Sequence, residues 1–398
     1  MGPVATTGRR ARLIMTPAEI ASQLVAIPSP NLGQPGADPP SSCEQEVARF
    51  VVAFLEDLGL AAERQPVVGE RCNILATIEG TGPRTLLIDA HMDTVPAENM
   101  DIEPFSGEVR DGKVFGRGAC DNKGSLTAVL TALRDLVEGD PPSATVRFAA
   151  TVDEEVGFRG MRRLAQSGLS VDAAIVAEPT RLEVVVATKG AARWKVRTRG
   201  IAAHTSQPEL GVNAIYKMAE VVSALHGRLT PALAERRHPL VGCPKLTVSV
   251  IEGGRLVNIV PDECVIEVDR RLLPGEQRND VIAEVQKFLA DLRQDDPQLD
   301  VRMEDPYLFL PGTEVLDTAE IVRVALEAAT ELGGGAETRG VPFTSHASVL
   351  EPVGIPAILF GPGNADLAHG PVEYVEIEKV ERAAQAFARI ARRFGACE

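Results

Sequence analysis

Short, predominantly apolar segments alternate along this chain with segments of helical periodicity. The apolar segments are residues 85–89, 145–151, 173–176 and 357–360. Each is too short for a buried helix and is typical of a strand that is covered on both faces of a sheet. Because helical segments separate these strands, successive strands run parallel. The sequence therefore predicts an α/β fold in which a mostly parallel sheet is flanked by helices.

Apolar side chains between the strands recur three and four residues apart, as one buried face of a helix requires. The segments of predicted helix are residues 16–26, 47–58, 126–136, 215–225, 281–289 and 377–394. The first begins with Thr16, Pro17 and Glu19. These residues predict a capping box with proline at the first helical position.

One internal part of the chain has a different pattern. Segments 192–199, 245–252 and 264–272 alternate apolar and polar residues, as strands do when only one face is buried. Two helical segments lie among them, so we expect a small α+β unit inserted into the larger α/β domain. We predict a flexible leader at residues 1–15. The α/β domain is divided between residues 16–187 and 299–398, and the inserted unit lies between its two parts, at residues 188–298.

Charge and composition limit the partners of this protein. Acidic residues outnumber basic ones by 56 to 41, which gives a net charge of −15. No basic stripe is visible, which argues against nucleic acid or an anionic membrane as partner. No apolar run approaches the ~20 residues of a membrane-spanning helix. The six cysteines form no C-x-x-C pair, and the basic N-terminus lacks a following apolar segment of signal-peptide length. Both features favour a cytoplasmic protein with reduced thiols.

Side chains that can bind metal follow three of the predicted strands. They are His91 and Asp93, then Glu154 and Glu155, then Glu178. Because the carboxyl ends of parallel strands meet at one edge of a sheet, we expect these side chains to converge. Two further candidates, Asp121 and His369, lie in the glycine-containing loops GRGACD and FGPGNADLAH.

Imidazole and carboxylate groups in this combination are suited to divalent metal ions. Five such ligands can hold two ions if one carboxylate bridges them, and zinc accepts mixed nitrogen and oxygen ligands. The five candidate ligands are His91, Asp121, Glu155, Glu178 and His369. Taken singly, each would usually be an ordinary strand-end or loop residue. The prediction depends on their conjunction.

Two acidic neighbours of these ligands have supporting roles in this hypothesis. Asp93 follows His91 by two residues in extended chain, so its carboxylate can accept the second ring N–H of that histidine. Glu154 and Glu155 are adjacent and cannot both face one metal from a regular strand. One of them can bind metal, which leaves the other beside a metal-activated water as general base.

The motifs that contain these residues resemble a known family, the dinuclear zinc exopeptidases and deacylases. That family includes acetylornithine deacetylase, succinyl-diaminopimelate desuccinylase, aminoacylase and glutamate carboxypeptidase. The matching motifs occur in order across residues 16–398 and read IDAHMDTVP, GRGACDNKGS, TVDEEVG, AEPT, GIAAHTSQPELGVNAI, NIVPDECVIEVDRRL and FGPGNADLAHGPVEYV. The resemblance implies that residues 16–187 and 299–398 form a metal-binding catalytic domain that hydrolyses amide bonds.

The resemblance also implies a role for each candidate ligand. His91 and Glu178 are expected to bind one ion, and His369 and Glu155 the other. Asp121 is expected to bind both ions as a bridging ligand. Glu154 is then the general base and Asp93 the partner of His91. The Asp121–Asn122 peptide is expected to be cis. The expected ions are two Zn²⁺, with Co²⁺ or Mn²⁺ as alternatives.

The inserted unit at 188–298 resembles the lid of this family, which commonly forms a homodimer. His204 matches a lid histidine that stabilises the oxyanion of the tetrahedral intermediate, often from the partner subunit. Asn258 and Arg271 match residues that bind the carboxylate of the substrate, which a guanidinium fork suits. Strand alternation independently favours Arg271 over Arg270 for the cleft, because Arg270 shares a face with the apolar residues.

Some positions depart from the family pattern. Asn122 and Ser125 stand where methionine and glycine or alanine are more usual. The segment Phe-Thr-Ser-His-Ala at 343–347 lies where many relatives carry an aspartate after the threonine. Its His346 either contacts the substrate, which we favour, or is only a loop residue. The missing aspartate leaves the identity of the acyl-amino acid open.

The resulting expectation is a metal-dependent amide hydrolase that removes an acyl group, such as acetyl or succinyl, from an N-acyl-amino acid. A dipeptidase or a glutamate-type carboxypeptidase would use the same metal site. A third alternative is hydrolysis of an unusual amide or amine. A catalytically inactive binding module would be expected to lose ligands or the general base, and all six of those positions are filled here.

Overall fold

A computed structural model of the protein describes residues 15–33 and 43–396. Its helices are α1 Pro17–Ala26, α2 Gln45–Asp57, α3 Gly124–Glu138, α4 Arg159–Gln166, α5 Ala214–Ala224, α6 Thr230–Ala234, α7 Arg278–Asp295, α8 Glu320–Glu331, α9 Ala347–Leu350 and α10 Ile377–Arg393. Its strands are β1 Glu63–Val68, β2 Arg71–Ile78, β3 Thr85–His91, β4 Glu108–Arg110, β5 Lys113–Phe115, β6 Thr145–Thr151, β7 Ala173–Ala177, β8 Val185–Thr188, β9 Gly190–Arg199, β10 Ala203–His204, β11 Lys245–Gly253, β12 Ile259–Val260, β13 Glu263–Leu272, β14 Asp300–Met303, β15 Leu308–Leu310, β16 Thr313–Glu314, β17 Arg339–Val341, β18 Ala357–Phe360 and β19 Tyr374–Glu376.

The larger sheet has nine strands and is mixed. Its order is β1-β2-β6-β3-β7-β18-β8-β16, with β17 paired to β8. The central strands β6, β3, β7 and β18 are parallel to one another, whereas β1, β2 and β16 pair antiparallel to their neighbours. The predicted α/β class, a largely parallel central sheet flanked by helices, is therefore confirmed, and the antiparallel strands lie towards its edges.

Helices cover both faces of this sheet because its strands are apolar on both sides. In β3, Leu86, Ile88 and Ala90 pack into one core together with α1, α2, α3, α8 and α10. Leu87 points to the other face and packs with α4 and α9. Full burial of each such leucine contributes about 1.5–3 kcal/mol. Both-face burial leaves the carboxyl ends of the strands as the place where polar side chains can gather.

The N-terminal helix begins as predicted. The Thr16 side chain accepts a hydrogen bond from the Glu19 backbone, and the Glu19 carboxylate accepts one from the Thr16 backbone at 2.7 Å. The predicted leader at 1–15 lies outside the described residues except for Met15. Met15 differs from the prediction of a flexible leader, because it packs against the core and its carbonyl accepts a hydrogen bond from Arg134.

A second sheet forms the inserted unit. It has five strands in the order β11-β13-β9-β14, with β15 also paired to β9. Helices α5 and α7 cover one face, where Trp194, Val221, Ile266 and Val285 are fully buried in a core of their own. The opposite face carries charged side chains such as Arg193 and Asp269. We call this second surface the open face.

The inserted unit extends further along the chain than its predicted end at residue 298. Strands β14 and β15 both pair antiparallel with β9, so the sheet continues to Leu310. These strands are too short to be distinguished by periodicity from the strands of the larger domain. At the junction of the two units, Ala191, Leu308 and Leu310 pack against Phe158 of the larger domain. In the described part of the chain, no helix combines the length and apolar character needed to cross a bilayer.

Candidate metal centre

Three neighbouring parallel strands bring the candidate ligands together. Strand β3 lies between β6 and β7 and is parallel to both. His91 is the last residue of β3, Glu155 lies in the loop after β6, and Glu178 directly follows β7. All three side chains are almost fully buried. The centre therefore lies at the carboxyl edge of the sheet, where the strand order predicts it.

Asp121 reaches this centre from an irregular turn before α3. Gly118 adopts a left-handed φ of 84°, and the Asp121–Asn122 peptide is cis, as the family resemblance implies. The backbone N–H groups of Cys120 and Asp121 both donate to Glu373, at 2.9 and 3.1 Å. These contacts hold the turn so that the Asp121 carboxylate faces the ends of the strands.

The two oxygens of the Asp121 carboxylate face two different histidines. Oδ1 lies 3.0 Å from Nε2 of His91, and Oδ2 lies 3.4 Å from Nε2 of His369. The same nitrogen of His369 is 3.3 Å from Oε2 of Glu155. Ligand atoms of His91, Asp121 and Glu155 all lie within 4.8 Å of one another. A carboxylate with one imidazole beside each oxygen fits a pair of metal ions that share this carboxylate.

The electrostatics of this cluster favour bound cations. Burial, together with the charge of Asp121, raises the pKa of Glu154 and of Glu178 well above the usual range and the pKa of Glu155 to about 7. The ring N–H of His369 donates hydrogen bonds to the carboxylates of Asp121 and Glu155, and these bonds raise the pKa of His369 to about 11. Buried carboxylates that repel one another need compensating positive charge, which divalent ions supply. One buried oxygen of Glu155 has no hydrogen-bond partner among residues 15–33 and 43–396, which also fits a metal ligand.

Asp93 connects the loop after β3 to the loop after β6. Its carboxylate accepts hydrogen bonds from the backbone N–H of Glu154 at 3.0 Å and of Glu155 at 3.1 Å. Nδ1 of His91 donates to the Asp93 backbone carbonyl at 3.0 Å and lies 3.5 Å from its carboxylate. Asp93 therefore lies beside His91, although its backbone carbonyl, and not the predicted carboxylate, accepts the hydrogen bond of the ring. Its carboxylate holds the backbone of both glutamates.

Asn31 is a buried member of this network that the sequence did not reveal. Its Nδ2 donates both to Asp93 and to Asp153, each at 2.9 Å. Asp153 adopts a left-handed φ of 68° and ion-pairs with the fully buried Arg71 at 3.3 Å. An asparagine in a loop carries no sequence signal for this role, because its partners are 62 and 122 residues away.

A second buried network supports the loop of His369. The Arg117 guanidinium donates to Glu373 at 2.6 Å and to Asn99 at 2.7 Å. Asn99 in turn donates to the backbone carbonyl of His369 at 2.9 Å. Arg117 and Glu373 are fully buried. Since Glu373 also holds the Asp121 turn, one ion pair fixes two segments that carry candidate ligands. The motifs GRGACD and HGPVEYV contain these residues, but nothing in their spacing indicated that they pair.

The structure places His346, the predicted substrate contact, in the core and not in an open loop. The side chain is fully buried, and its Nδ1 donates to Asp89 at 2.7 Å. Its ring lies edge-on to Phe158, with 5.5 Å between the centroids, and 6.5 Å from the ring of His91. His346 thus packs beneath the metal centre as part of the core. The negative charge of Asp89 explains why a histidine is accommodated there.

The remaining predicted site residues lie on the inserted unit. His204 is the last residue of β10, Asn258 directly precedes the adjacent strand β12, and both are exposed. The Thr205 N–H donates to the Asn258 carbonyl at 3.2 Å. Within the described residues, neither forms a hydrogen bond with the metal centre. The predicted faces of β13 are confirmed, because Arg270 is fully buried on the helix side and Arg271 lies on the open face. The Nε of Arg271 donates to Asp269 at 2.8 Å.

A mixed α/β sheet with a carboxylate bridge between two histidines at its carboxyl edge defines a class of dinuclear metallohydrolases. The sequence comparison agrees with this class. The chain belongs to peptidase family M20/M25/M40, whose family model matches residues 87–393. The members of this family are metal-dependent hydrolases of amide bonds, and the resemblance predicted from the sequence motifs is confirmed.

Individual relatives agree in fold and differ in the activity they are named for. The acetylornithine deacetylase of Myxococcus xanthus is 31% identical over 354 residues, which cover 87% of this chain and 91% of that protein. A tripeptidase from Staphylococcus aureus superposes with a TM-score of 0.76 at 23% identity, covering 94% of this chain and 97% of the other. A dinuclear metal-binding M20 peptidase from Bacillus subtilis superposes with a TM-score of 0.70 at 18% identity, covering 94% and 96%.

Replacing Asn31 tests the network under the two glutamates. Asn31→Asp removes both donors and places a third carboxylate between Asp93 and Asp153. We expect the affinity for metal to fall by about tenfold or more, because partners that orient ligands contribute that much. Calorimetric titration of the metal-free protein with Zn²⁺ measures this. Asn279→Asp, on the exposed surface of α7, is the control. Unchanged metal affinity in a folded Asn31→Asp protein would contradict the role.

Proposed function

We propose that this protein is a dinuclear metal-dependent deacylase that releases an amino acid from an N-acyl-amino acid. The observation that carries the proposal is the Asp121 carboxylate, which lies between His91 and His369 with Glu155 beside it. The M. xanthus relative named acetylornithine deacetylase supports deacylation over peptide cleavage. It covers most of both chains, whereas the peptidase neighbours support the fold alone.

In this proposal His91 and Glu178 would hold one ion, Glu155 and His369 would hold the other, and Asp121 would be a ligand of both. Zn²⁺ is the proposed metal, and Co²⁺ or Mn²⁺ would also fit a site of two imidazoles and three carboxylates. When bound, the two ions supply Lewis acidity for the scissile carbonyl and lower the pKa of water at the site.

Glu154 is the proposed general base. Its backbone N–H is held by Asp93 at 3.0 Å, and among the described residues no hydrogen bond occupies its carboxylate. Burial raises the pKa of this group, which favours accepting a proton from the attacking water. The same group then donates that proton to the leaving nitrogen of the amide.

The inserted unit supplies the proposed contacts to the substrate. Arg271 and Asn258 bind the carboxylate of the amino acid, and His204 stabilises the oxyanion of the tetrahedral intermediate. Arg271 lies on the open face in register with Ala191, which packs against Phe158 at the junction of the two units. The His204 side chain is exposed, and among the described residues its hydrogen bonds are to Ser206, two residues away. We therefore propose that it acts at the site of a partner subunit.

A second copy of this chain is the proposed partner of an exposed apolar surface around His204. Among the described strands, β11 lies at the edge of its sheet and pairs with β13 alone. Ile251, Leu256, Val257 and Tyr216 are all more than half exposed, and Val257 is 99% exposed. The same region lines a cavity of about 910 Å³. An unpaired strand edge beside apolar side chains is suited to pairing with its own copy.

We expect Val257→Glu to convert a dimer into a monomer, because it places a charge in the proposed interface. Light scattering after size exclusion measures the mass. Leu316→Glu, at an exposed residue of the larger domain, is the control and should stay dimeric. A monomeric unmodified protein, or a Val257→Glu protein that remains dimeric, would contradict the proposed interface.

Mixing two inactive variants tests whether His204 acts on the partner. If it does, a heterodimer of His204→Ala and Glu154→Ala contains one intact site. Random reassociation should then restore about a quarter of the activity of the unmodified enzyme, since half of the dimers are mixed and have one of two sites intact. No recovery after mixing would show that each site is built from a single chain.

Substrate choice is tested by one panel of amides on the metal-loaded protein. N-acetyl-, N-formyl- and N-succinyl-amino acids are compared with dipeptides and tripeptides of the same residues. We expect the highest kcat/KM among the N-acyl-amino acids. Faster cleavage of the peptides would replace the proposal with a peptidase, in line with the S. aureus neighbour named a tripeptidase.

A further inference from the structure

One end of the open face meets the loop that carries the catalytic glutamates. Leu310, Ala191, Arg271 and Lys245 stand side by side on four neighbouring strands of the sheet. The first two of these pack against Phe158, which lies three residues after Glu155. These four residues form one row across the sheet, with the apolar residues Leu310 and Ala191 at one end and the cations Arg271 and Lys245 at the other. Arg271 and Lys245 are therefore on the side of the sheet that faces the metal-binding domain.

A third cation joins Arg271 and Lys245. Lys189 directly precedes β9, and its ammonium group donates a hydrogen bond to the backbone carbonyl of Cys243, two residues before Lys245. The Lys189 side chain is nearly fully buried. Burial lowers the pKa of Lys189, and the nearby charges of Lys245 and Arg271 lower it further. We call Lys189, Lys245 and Arg271 the cation cluster.

The backbone of Lys189 links the cation cluster to the metal centre. Its N–H donates to the carbonyl of Val341 at 3.2 Å, and its carbonyl accepts from the Thr344 hydroxyl at 2.9 Å. The loop of these two residues continues to His346, whose ring lies 6.5 Å from that of His91. One short loop thus contacts both sites.

The cation cluster has too few acidic partners. Arg271 shares the carboxylate of Asp269 with Arg193, each at 2.8 Å. Among the described residues, neither Lys189 nor Lys245 forms an ion pair. Like charges directly opposite each other on paired strands, as Lys245 and Arg271 are, destabilise a sheet. Lys245 is exposed, and in a chain with a net charge of −15 this local excess of positive charge is suited to binding an anion.

We infer that the cation cluster binds a second carboxylate of the substrate, so that the substrate is a dicarboxylate. This inference rests on the proposed function, in which Arg271 binds the carboxylate of the amino acid. The two lysines then bind the other carboxylate. That group can belong to the amino-acid side chain, as in an N-acyl-glutamate, or to the acyl group, as in an N-succinyl-amino acid. A substrate with a cationic side chain would be repelled.

Matched substrates that differ in one charge test this inference. We expect kcat/KM to be about tenfold or more higher for N-acetylglutamate than for N-acetylglutamine, or for an N-succinyl- than for an N-acetyl-amino acid, and lowest for N-acetylornithine. The pair with the larger ratio identifies the source of the carboxylate. The ratio should fall towards one in Lys245→Gln, and also in Lys189→Met. Lys287→Gln, at an exposed lysine of α7, should keep it.

A binding measurement separates this inference from the proposed function. Calorimetry on the metal-free protein compares glutarate with its monoamide, glutaramate, so that neither hydrolysis nor metal chelation contributes. We expect tighter binding of glutarate, an advantage that Lys245→Gln removes and Lys287→Gln retains. Equal binding of the two probes together with equal hydrolysis of the charge-matched substrates would overturn the inference. Tighter binding of glutarate without hydrolysis of any amide would retain the site and reject the proposed function.

Discussion

Replacing Glu154 by glutamine is expected to lower kcat for amide hydrolysis by about 10²–10⁴-fold, the usual contribution of a general base. Glutamine has the same shape but cannot accept the proton of the attacking water. The backbone contact to Asp93 does not depend on the side chain, so the loop should keep its conformation. Because Glu154 is not a proposed ligand, the metal content should stay unchanged. Steady-state kinetics together with elemental analysis of the purified variant measure both quantities.

Glu235→Gln is the matched control for this variant, because Glu235 is an exposed residue just after α6. It should retain both activity and metal. If Glu154→Gln kept its activity within several-fold of the unmodified enzyme, the assignment of the base would be wrong. If it lost metal together with activity, Glu154 would be a ligand, and the roles of the two adjacent glutamates would have to be exchanged.

Replacing Asp121 by alanine is expected to abolish activity through loss of metal. The Asp121 carboxylate contacts His91 with one oxygen and His369 with the other, so its removal takes one ligand from each ion. The repulsion among the buried carboxylates of the site would then lack its compensating cations. We expect kcat to fall by about 10³-fold or more. The metal content should fall below one ion per chain after dialysis.

Thermal unfolding gives a second readout for Asp121→Ala. A ligand present at 100 times its Kd stabilises a folded protein by about 2.7 kcal/mol, so Zn²⁺ should raise the Tm of the unmodified protein by several degrees. The variant should lose this increase, and Asp317→Ala, at an exposed residue before α8, should keep it. A variant that bound two ions and showed the full increase in Tm would rule out a bridging role.

The strands that carry the candidate ligands were predictable because two sequence signals coincide there. The apolar run of β3 ends in His91, and the run of β6 ends just before Glu154 and Glu155. The parallel order of β6, β3 and β7 then brings these ends together. A strand that is buried on both faces is recognisable in the sequence as a short apolar run. A polar residue directly after such a run lies at the carboxyl edge of the sheet. The predicted end of the inserted unit at residue 298 was too early, because β14 and β15 are too short to be recognised from the sequence as strands of that unit.

The supporting networks were not predictable from the sequence. Asn31 holds two aspartates that are distant in the chain, and Glu373 pairs with Arg117 across 256 residues. Such contacts depend on the packing of whole elements and leave no local periodicity. The partner of His346 was likewise not predictable from the sequence. Its loop suggested a contact with substrate, whereas its partner is Asp89 in the core. Charge and burial around a single side chain become known only from the fold.

The most direct test of dinuclear metal-dependent catalysis is a titration of the metal-free protein with Zn²⁺, during which hydrolysis of an N-acyl-amino acid is followed. Five ligands with a shared Asp121 predict that the rate rises with added metal and reaches its plateau at about two ions per chain. Chelation should reverse the gain. Full activity in the metal-free protein, or a folded chain that binds no metal under these conditions, would contradict the proposed centre and the function derived from it.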